Sequence, residues 1–256
     1  MNMIPASSTG WSRIKILAFV HPSSSTKLVW RLLIVATLMT LVLGCTIFRP
    51  EKEDVFSRGD KYLESLEYNL AINEYTKVIE LDPTDPEAYA ARGDAYSGLR
   101  EHQRAVEDYN NAIQLDPDFA RAYNNRGFSY ATLGKYQRSI QDLDVAIRLE
   151  PNYVEAYYNR GNAYKNLLEF GRSIQNLNIV IRLNPNFAQA YNNRGVSYNN
   201  LGEYHLAILD FDTALQLAPE NPVAYYNRAH AHNNLGEIQL AIQDSQKACS
   251  LDPQYC

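Results

Sequence analysis

Ala120-Arg121-Ala122-Tyr123-Asn124-Asn125-Arg126-Gly127 is an octet that returns, with variations, every 34 residues. Its tyrosine recurs as Tyr89, Tyr123, Tyr157, Tyr191 and Tyr225, and its second arginine as Arg58, Arg92, Arg126, Arg160, Arg194 and Arg228. A proline closes each return, at Pro83, Pro117, Pro151, Pro185, Pro219 and Pro253. Six units fit without insertion or deletion: 52–85, 86–119, 120–153, 154–187, 188–221 and 222–255. A fixed period of this length specifies stacked copies of one supersecondary unit, each burying its apolar face against the next.

Unit 120–153 shows what is repeated. Tyr123, Gly127 and Tyr130 fall at i, i+4 and i+7, which predicts one buried face of a helix A over 121–133. Gly134 supplies a turn that needs positive φ. Ser139, Leu143, Ala146 and Ile147 predict the matching face of a helix B over 136–149. Pro151 stops that helix by excluding its predecessor from the helical region. Small Gly127 and Ser139 permit close approach, and the tyrosines fill the space around them.

The pattern Tyr-x2-Arg-Gly-x2-Tyr, then Ala-x3-(aromatic or Leu)-x2-Ala, then Pro resembles the tetratricopeptide repeat, TPR, over residues 52–255. The resemblance implies an all-α, right-handed superhelical solenoid of six helix-turn-helix units. Two departures are visible. Tyr, or Val55 in the first unit, stands where the family usually has Trp, and Arg stands where it usually has Leu before the Gly.

Sixteen residues after each ladder arginine stands Glu74, Asp108, Asp142, Asn176, Asp210 or Asp244. An antiparallel helix pair brings such positions together. The arginines are therefore expected to pair within their own repeat rather than bind an external anion. The tyrosine-rich composition is likewise expected to be packing, not a base-stacking platform.

In TPR proteins, helix A positions 2, 5, 6, 9, 12 and 13 of the unit line the concave face. Carried over, position 6 holds Asn125, Asn159, Asn193 and Asn227 in four consecutive units. Around them stand Asn124, Asn162 and Asn192, with Tyr158 and Tyr226 at position 5. Asparagine is a poor helix former, and its amide offers both a donor and an acceptor to an extended peptide backbone. A similar asparagine ladder lines the TPR superhelix of the O-linked N-acetylglucosamine transferase. The bland alternative is that the asparagines are copies made by duplication and merely solvated. Glu53, Asp60, Glu64, Glu87 and Asp94 in the first two units suggest a basic end for the ligand there. Position 5 lacks the basic residues of chaperone-tail clamps, which argues against capture of a C-terminal carboxylate.

Of 24 basic and 29 acidic residues, five basic and no acidic ones lie in 1–50, so the remainder carries a net charge of −10. An acidic solenoid is a poor candidate for phosphate-backbone binding, which needs clustered Lys and Arg, so no nucleic acid is expected. The segment 1–44 reads as a signal peptide or membrane anchor, with 45–51 as a tether. Trp30-Arg31 precedes a 12-residue apolar run ending in Leu43-Gly44-Cys45, and Val42-Leu43-Gly44-Cys45 resembles the lipobox of bacterial lipoproteins. That resemblance implies cleavage before Cys45 and a lipid on it. An uncleaved anchor over Leu32–Phe48 stays open, and both readings place the repeats on the extracytoplasmic side of a bacterial membrane.

Cys249 and Cys256 match no zinc or CxxC spacing, while a disulfide between them is compatible with that compartment. His230 and His232 point to different faces of one helix and read as groove and core residues, not ligands. With no nucleophile elbow, phosphate loop or HExxH, the chain is expected to be no enzyme, with no catalytic residue, metal or cofactor. It is expected to be an adaptor for protein or peptide partners at the cell envelope. The alternatives are a self-associating structural component, dimerising through the C-terminal repeat where Ala248, Cys249 and Leu251 are expected to face solvent, Cys256 or a partner, or a regulatory subunit of an envelope enzyme complex.

Overall fold

The computed structural model describes residues 52–256. The signal or anchor segment 1–44, the lipidation of Cys45 and the tether 45–51 lie outside the described residues. Within 52–256 the chain forms twelve α-helices and ends in a 3-10 turn, Pro253–Tyr255. The A helices are α1 (52–64), α3 (Pro86–Gly98), α5 (Ala120–Thr132), α7 (Val154–Asn166), α9 (Ala188–Asn200) and α11 (Pro222–Asn234). The B helices are α2 (Tyr68–Leu81), α4 (His102–Leu115), α6 (Tyr136–Leu149), α8 (Phe170–Leu183), α10 (Tyr204–Leu217) and α12 (Ile238–Leu251). The expected helix B of the third unit is reproduced, and helix A starts and ends one residue earlier than its periodicity suggested.

Each A helix packs on the B helix that follows it, and each B helix packs on the next A helix. Neighbouring A helices also touch (α3 with α5, α5 with α7, α7 with α9, α9 with α11), whereas no comparable contact joins B helices among the described residues. The A helices therefore stand closer together than the B helices. That asymmetry bends the stack and puts the A helices on its inner side.

The pairing within a repeat depends on the glycine of the octet. A Cβ added at Gly93 would come within 2.7 Å of the Tyr109 ring, and one at Gly195 within 2.7 Å of the Phe211 ring. At Gly127 the obstacle is Leu143, 2.9 Å away. Tyr109, Leu143 and Phe211 are fully buried. The sixth unit replaces both partners at once: Ala229 occupies the glycine position, and Ser245 replaces the large residue opposite.

The turn between helices A and B is left-handed in every repeat. Gly134, Gly202 and Gly236 have φ of 73°, 82° and 77°, while Leu66, Arg100 and Leu168 hold φ of 61°, 63° and 61° without glycine's freedom.

The C-terminal end follows expectation at Cys249, which meets Cys256, and departs from it at Ala248. Ala248 is fully buried, and Cys249 and Leu251 are only half-exposed. A disulfide between Cys249 and Cys256 folds the terminal turn back, and Tyr255 packs on Tyr226 with ring centroids 5.2 Å apart. The apolar residues left at the surface of this end are Ile238, Leu240 and Ile242 on α12. Ile242 corresponds to Ile208 of the preceding repeat, which is partly buried because another repeat follows it.

Candidate functional site

The inner face is assembled from α1, α3, α5, α7, α9 and α11, and two side-chain systems fix its geometry. The first is the arginine ladder. Arg92, Arg126, Arg194 and Arg228 each place Nε and Nη2 on both carboxylate oxygens of Asp108, Asp142, Asp210 and Asp244, at 2.6–2.8 Å. Arg58 pairs with Glu74, and Arg160 Nε donates to Asn176 Oδ1 at 2.8 Å. The within-repeat pairing thus holds in all six units.

The same arginines also reach sixteen residues backward. Arg92 donates to Thr76, Arg126 to Asn110, Arg160 to Asp144, Arg194 to Asn178 and Arg228 to Asp212. From the second repeat on, each guanidinium joins its own helix B to that of the preceding repeat. Each also lies over the tyrosine three residues before it, 5.3–5.8 Å from the ring centroid. The backward reach has a signal in the sequence: a column of polar acceptors, one per repeat.

The second system is the asparagine ladder. Asn159 Nδ2 donates to Asn124 Oδ1 at 3.0 Å, Asn193 Nδ2 to Tyr158 OH at 2.9 Å, and Asn227 Nδ2 to Asn192 Oδ1 at 3.0 Å. Position 6 of one repeat therefore ties to position 5 of the repeat before it, three times in succession. Position 9 takes part as well, since Asn125 donates to Asp94 at 2.7 Å and Asn193 to Asn162 at 2.8 Å.

Asn124 and Asn192 are 5% and 8% exposed, so they are supports inside the wall, not surface groups as their placement in the groove implied. Asn125, Asn159, Asn162, Asn193 and Asn227 are partly buried, Tyr158 is half-buried, and Tyr226 is exposed. The periodicity that reveals the supports is the alternation Asn124, Tyr158, Asn192, Tyr226 at position 5, two repeats long rather than one.

The ladder consumes one amide hydrogen each from Asn125, Asn159 and Asn227. The carbonyl oxygens of Asn125 and Asn193 accept from Asn124 and Asn192. Among the described residues, nothing engages the second amide hydrogen or the carbonyl oxygen of Asn159 and Asn227. Those are the donor and acceptor that an extended backbone requires.

Charge in the first repeats is largely compensated. Arg121 bridges Glu87 and Asp94, and Asp94 also accepts from Tyr109 OH at 2.6 Å. Burial raises the Asp94 carboxyl above its usual range despite these donors. Asp60 accepts from Tyr75 OH at 2.8 Å. Glu53 and Glu64 remain as exposed acids, so the attraction for a basic ligand end is confined to the first repeat.

His230 is exposed with its ring 4.6 Å from Tyr226, and His232 is buried with Nδ1 2.6 Å from Glu237. They are groove and core residues respectively, as their spacing indicated.

Sequence comparison places the geometry in a family. The pattern described as "TPR repeat" matches residues 59–99, 101–134 and 129–167. The pattern "Tetratricopeptide repeat" matches 154–187, 188–221 and 222–255. The chain belongs to the tetratricopeptide-repeat family.

Among solved structures, MamA is 28% identical, with a TM-score of 0.58 over 66% of this chain and 92% of that one. YrrB, described as a TPR protein with an unusual peptide-binding site, is 24% identical, with a TM-score of 0.58 over 70% of this chain and 92% of its own. PilW, described as a widely conserved type IV pilus biogenesis factor, is 20% identical, with a TM-score of 0.73 over 79% and 94%. The last two likenesses are of fold. No curated protein sequence matches the chain.

Proposed function

We propose that this TPR protein is a non-enzymatic scaffold that holds an extended segment of a protein partner along its inner face. The observation that carries the reading is the pair of unspent hydrogen-bonding groups on Asn159 and Asn227, two repeats apart on a wall where Asn193 between them is held at both its amide nitrogen and its oxygen. A concave surface with fixed, partly satisfied polar groups matches the chemistry of an extended main chain. The description of YrrB as peptide-binding is in keeping with it. The expected site comprises Asn125, Asn159, Asn162, Asn193, Asn227, Tyr158 and Tyr226, with Asn124 and Asn192 behind them.

The location belongs to the same proposal. A lipid on Cys45, or an anchor helix over Leu32–Phe48, would hold the repeats against the outer face of a bacterial membrane. The Cys249–Cys256 disulfide supports an oxidising compartment.

The test is binding of an array of extended peptides to the full chain in detergent. Asn159→Ala/Asn227→Ala is expected to weaken binding about tenfold or more. The convex-face control Gln141→Ala/Gln175→Ala is expected to bind as the parent does. Equal binding by both variants, each shown to be folded, would move the site off the inner face.

A second reading rests on Ile238, Leu240 and Ile242, which are 53%, 45% and 45% exposed at the C-terminal end. Ile238 and Ile242 border an open pocket of about 390 Å³ lined also by Tyr226, Ala229, His230 and Ser245. This unfinished end suits self-association of two copies. Mass measured by light scattering against concentration decides it, and a monomer throughout removes the reading.

A further inference from the structure

Lys165 stands at position 12 of the fourth repeat, on the inner side of α7. Among the described residues, every other lysine or arginine that is not solvent-exposed has a carboxylate within 4.0 Å. Lys52 has Asp82, Arg121 has Glu87 and Asp94, and the partly buried ladder arginines have their aspartates. Lys165 has none. Its ammonium makes one hydrogen bond in the protein, to Asn193 Oδ1 at 3.3 Å. Asn193 is held for that role, because its amide nitrogen donates to both Tyr158 OH and Asn162 Oδ1. Two of the three ammonium hydrogens have no acceptor among the described residues.

A partly buried cation without a counter-charge costs free energy that the isolated chain does not recover. Burial accordingly depresses the Lys165 ammonium below the usual lysine range. The same unit position one repeat later holds Asn199, whose Oδ1 is buried without a donor. An unmet cation and an unmet acceptor thus occupy equivalent sites in successive repeats.

We propose that Lys165 is the subsite for an acidic side chain of the bound peptide, and that this pairing sets the peptide's register along the groove. The proposal rests on the groove reading given above. A carboxylate placed there would complete the ammonium's hydrogen bonds. The carboxylate belongs to an Asp or Glu side chain rather than a chain terminus. Lys165 lies in the fourth of six repeats, and the inner face continues on both sides of it, so an extended chain passes through.

The probes are peptides of about twelve residues in a neutral background, each carrying Asp or Asn at one scanned position, with free or amidated C-termini. Binding is measured to the full chain in detergent, as the parent and as Lys165→Gln and Lys165→Arg. One register of Asp is expected to bind about tenfold tighter than its Asn counterpart in the amidated form. Lys165→Gln is expected to erase that preference while binding the neutral peptides within about twofold of the parent. Lys165→Arg is expected to keep most of it. The unfolding midpoint of Lys165→Gln should equal or exceed that of the parent, which separates lost recognition from lost fold.

An Asp preference unchanged by Lys165→Gln overturns the subsite. A preference seen only with free C-termini overturns the side-chain assignment. Neutral peptides that bind without any Asp preference overturn the subsite and leave the groove reading standing. A parent chain that binds no peptide overturns both.

Discussion

Leu168 shows at the scale of one residue how the repeat overrides local preference. It holds φ of 61° at the A-to-B turn where three other repeats have glycine, and it is 72% exposed. The strain is tolerated because the helices on either side are fixed by packing, and the side chain returns little burial in exchange. Leu168→Gly is therefore expected to stabilise the chain by about 1 kcal/mol, measured by urea unfolding; a loss of stability would show that the turn is unstrained. His102 is a second single-residue case. It is buried at the start of α4, its ring centroid is 6.1 Å from that of Phe128, and its Nδ1 has no partner. Burial pushes its imidazole below the ordinary histidine range. The unfolded chain thus takes up this proton at higher pH than the folded one. The stability contributed by the neutral ring is complete above about pH 6.5 and falls as pH drops below it. Tyr136 and Tyr204 occupy the equivalent position in other repeats. His102→Tyr is expected to flatten the stability profile between about pH 7 and pH 5, and an unchanged slope would assign that dependence elsewhere.

Between elements, the arginine ladder carries the argument. Arg126 holds Asp142 with two nitrogens and donates backward to neutral Asn110, whereas Arg160 holds Asn176 with Nε alone and donates backward to the carboxylate of Asp144. Asp142 and Asn176 are 7% and 5% exposed, so both are inside. Arg126→Ala strands a buried carboxylate and is expected to cost about 3–5 kcal/mol. Arg160→Ala strands a buried neutral amide and frees only the exposed carboxylate of Asp144, and is expected to cost less, about 1–3 kcal/mol. Equal losses in chemical denaturation would mean that the ladder acts through packing alone. The forward half of this ladder is legible in the sequence, because sixteen residues is the span that an antiparallel helix pair closes. The backward half depends on how one repeat sits on the next. Its signal, the column Thr76, Asn110, Asp144, Asn178 and Asp212, acquires meaning only with that geometry.

Across the molecule, the period of 34 residues was enough to specify repeat number, helix content and boundaries to within a residue in the third unit. It specified the inner face less completely. Sequence spacing grouped Asn124 and Asn192 with the groove, but whether a side chain on that helix faces solvent or the next repeat is set by the stacking, and these two face inward. Their burial turns the asparagine ladder into a structural tie that leaves free groups at alternate repeats. At the C-terminal end Cys249 meets Cys256, as its position allowed, and only Ala248 departs from expectation. Ala248 stands in the column Val78, Ala112, Ala146, Val180 and Ala214, which is buried in every repeat, and the apolar residues left exposed on α12 are Ile238, Leu240 and Ile242. The central claim, that a partner lies along the A helices, is tested most directly by photo-crosslinking. A benzoylphenylalanine at exposed Asn200 or Asn234 on the A-helix side is expected to capture an extended peptide, while the same group at exposed Gln141 or Gln175 on the B helices is expected to capture none. Crosslinks from the B-helix positions alone would contradict the account.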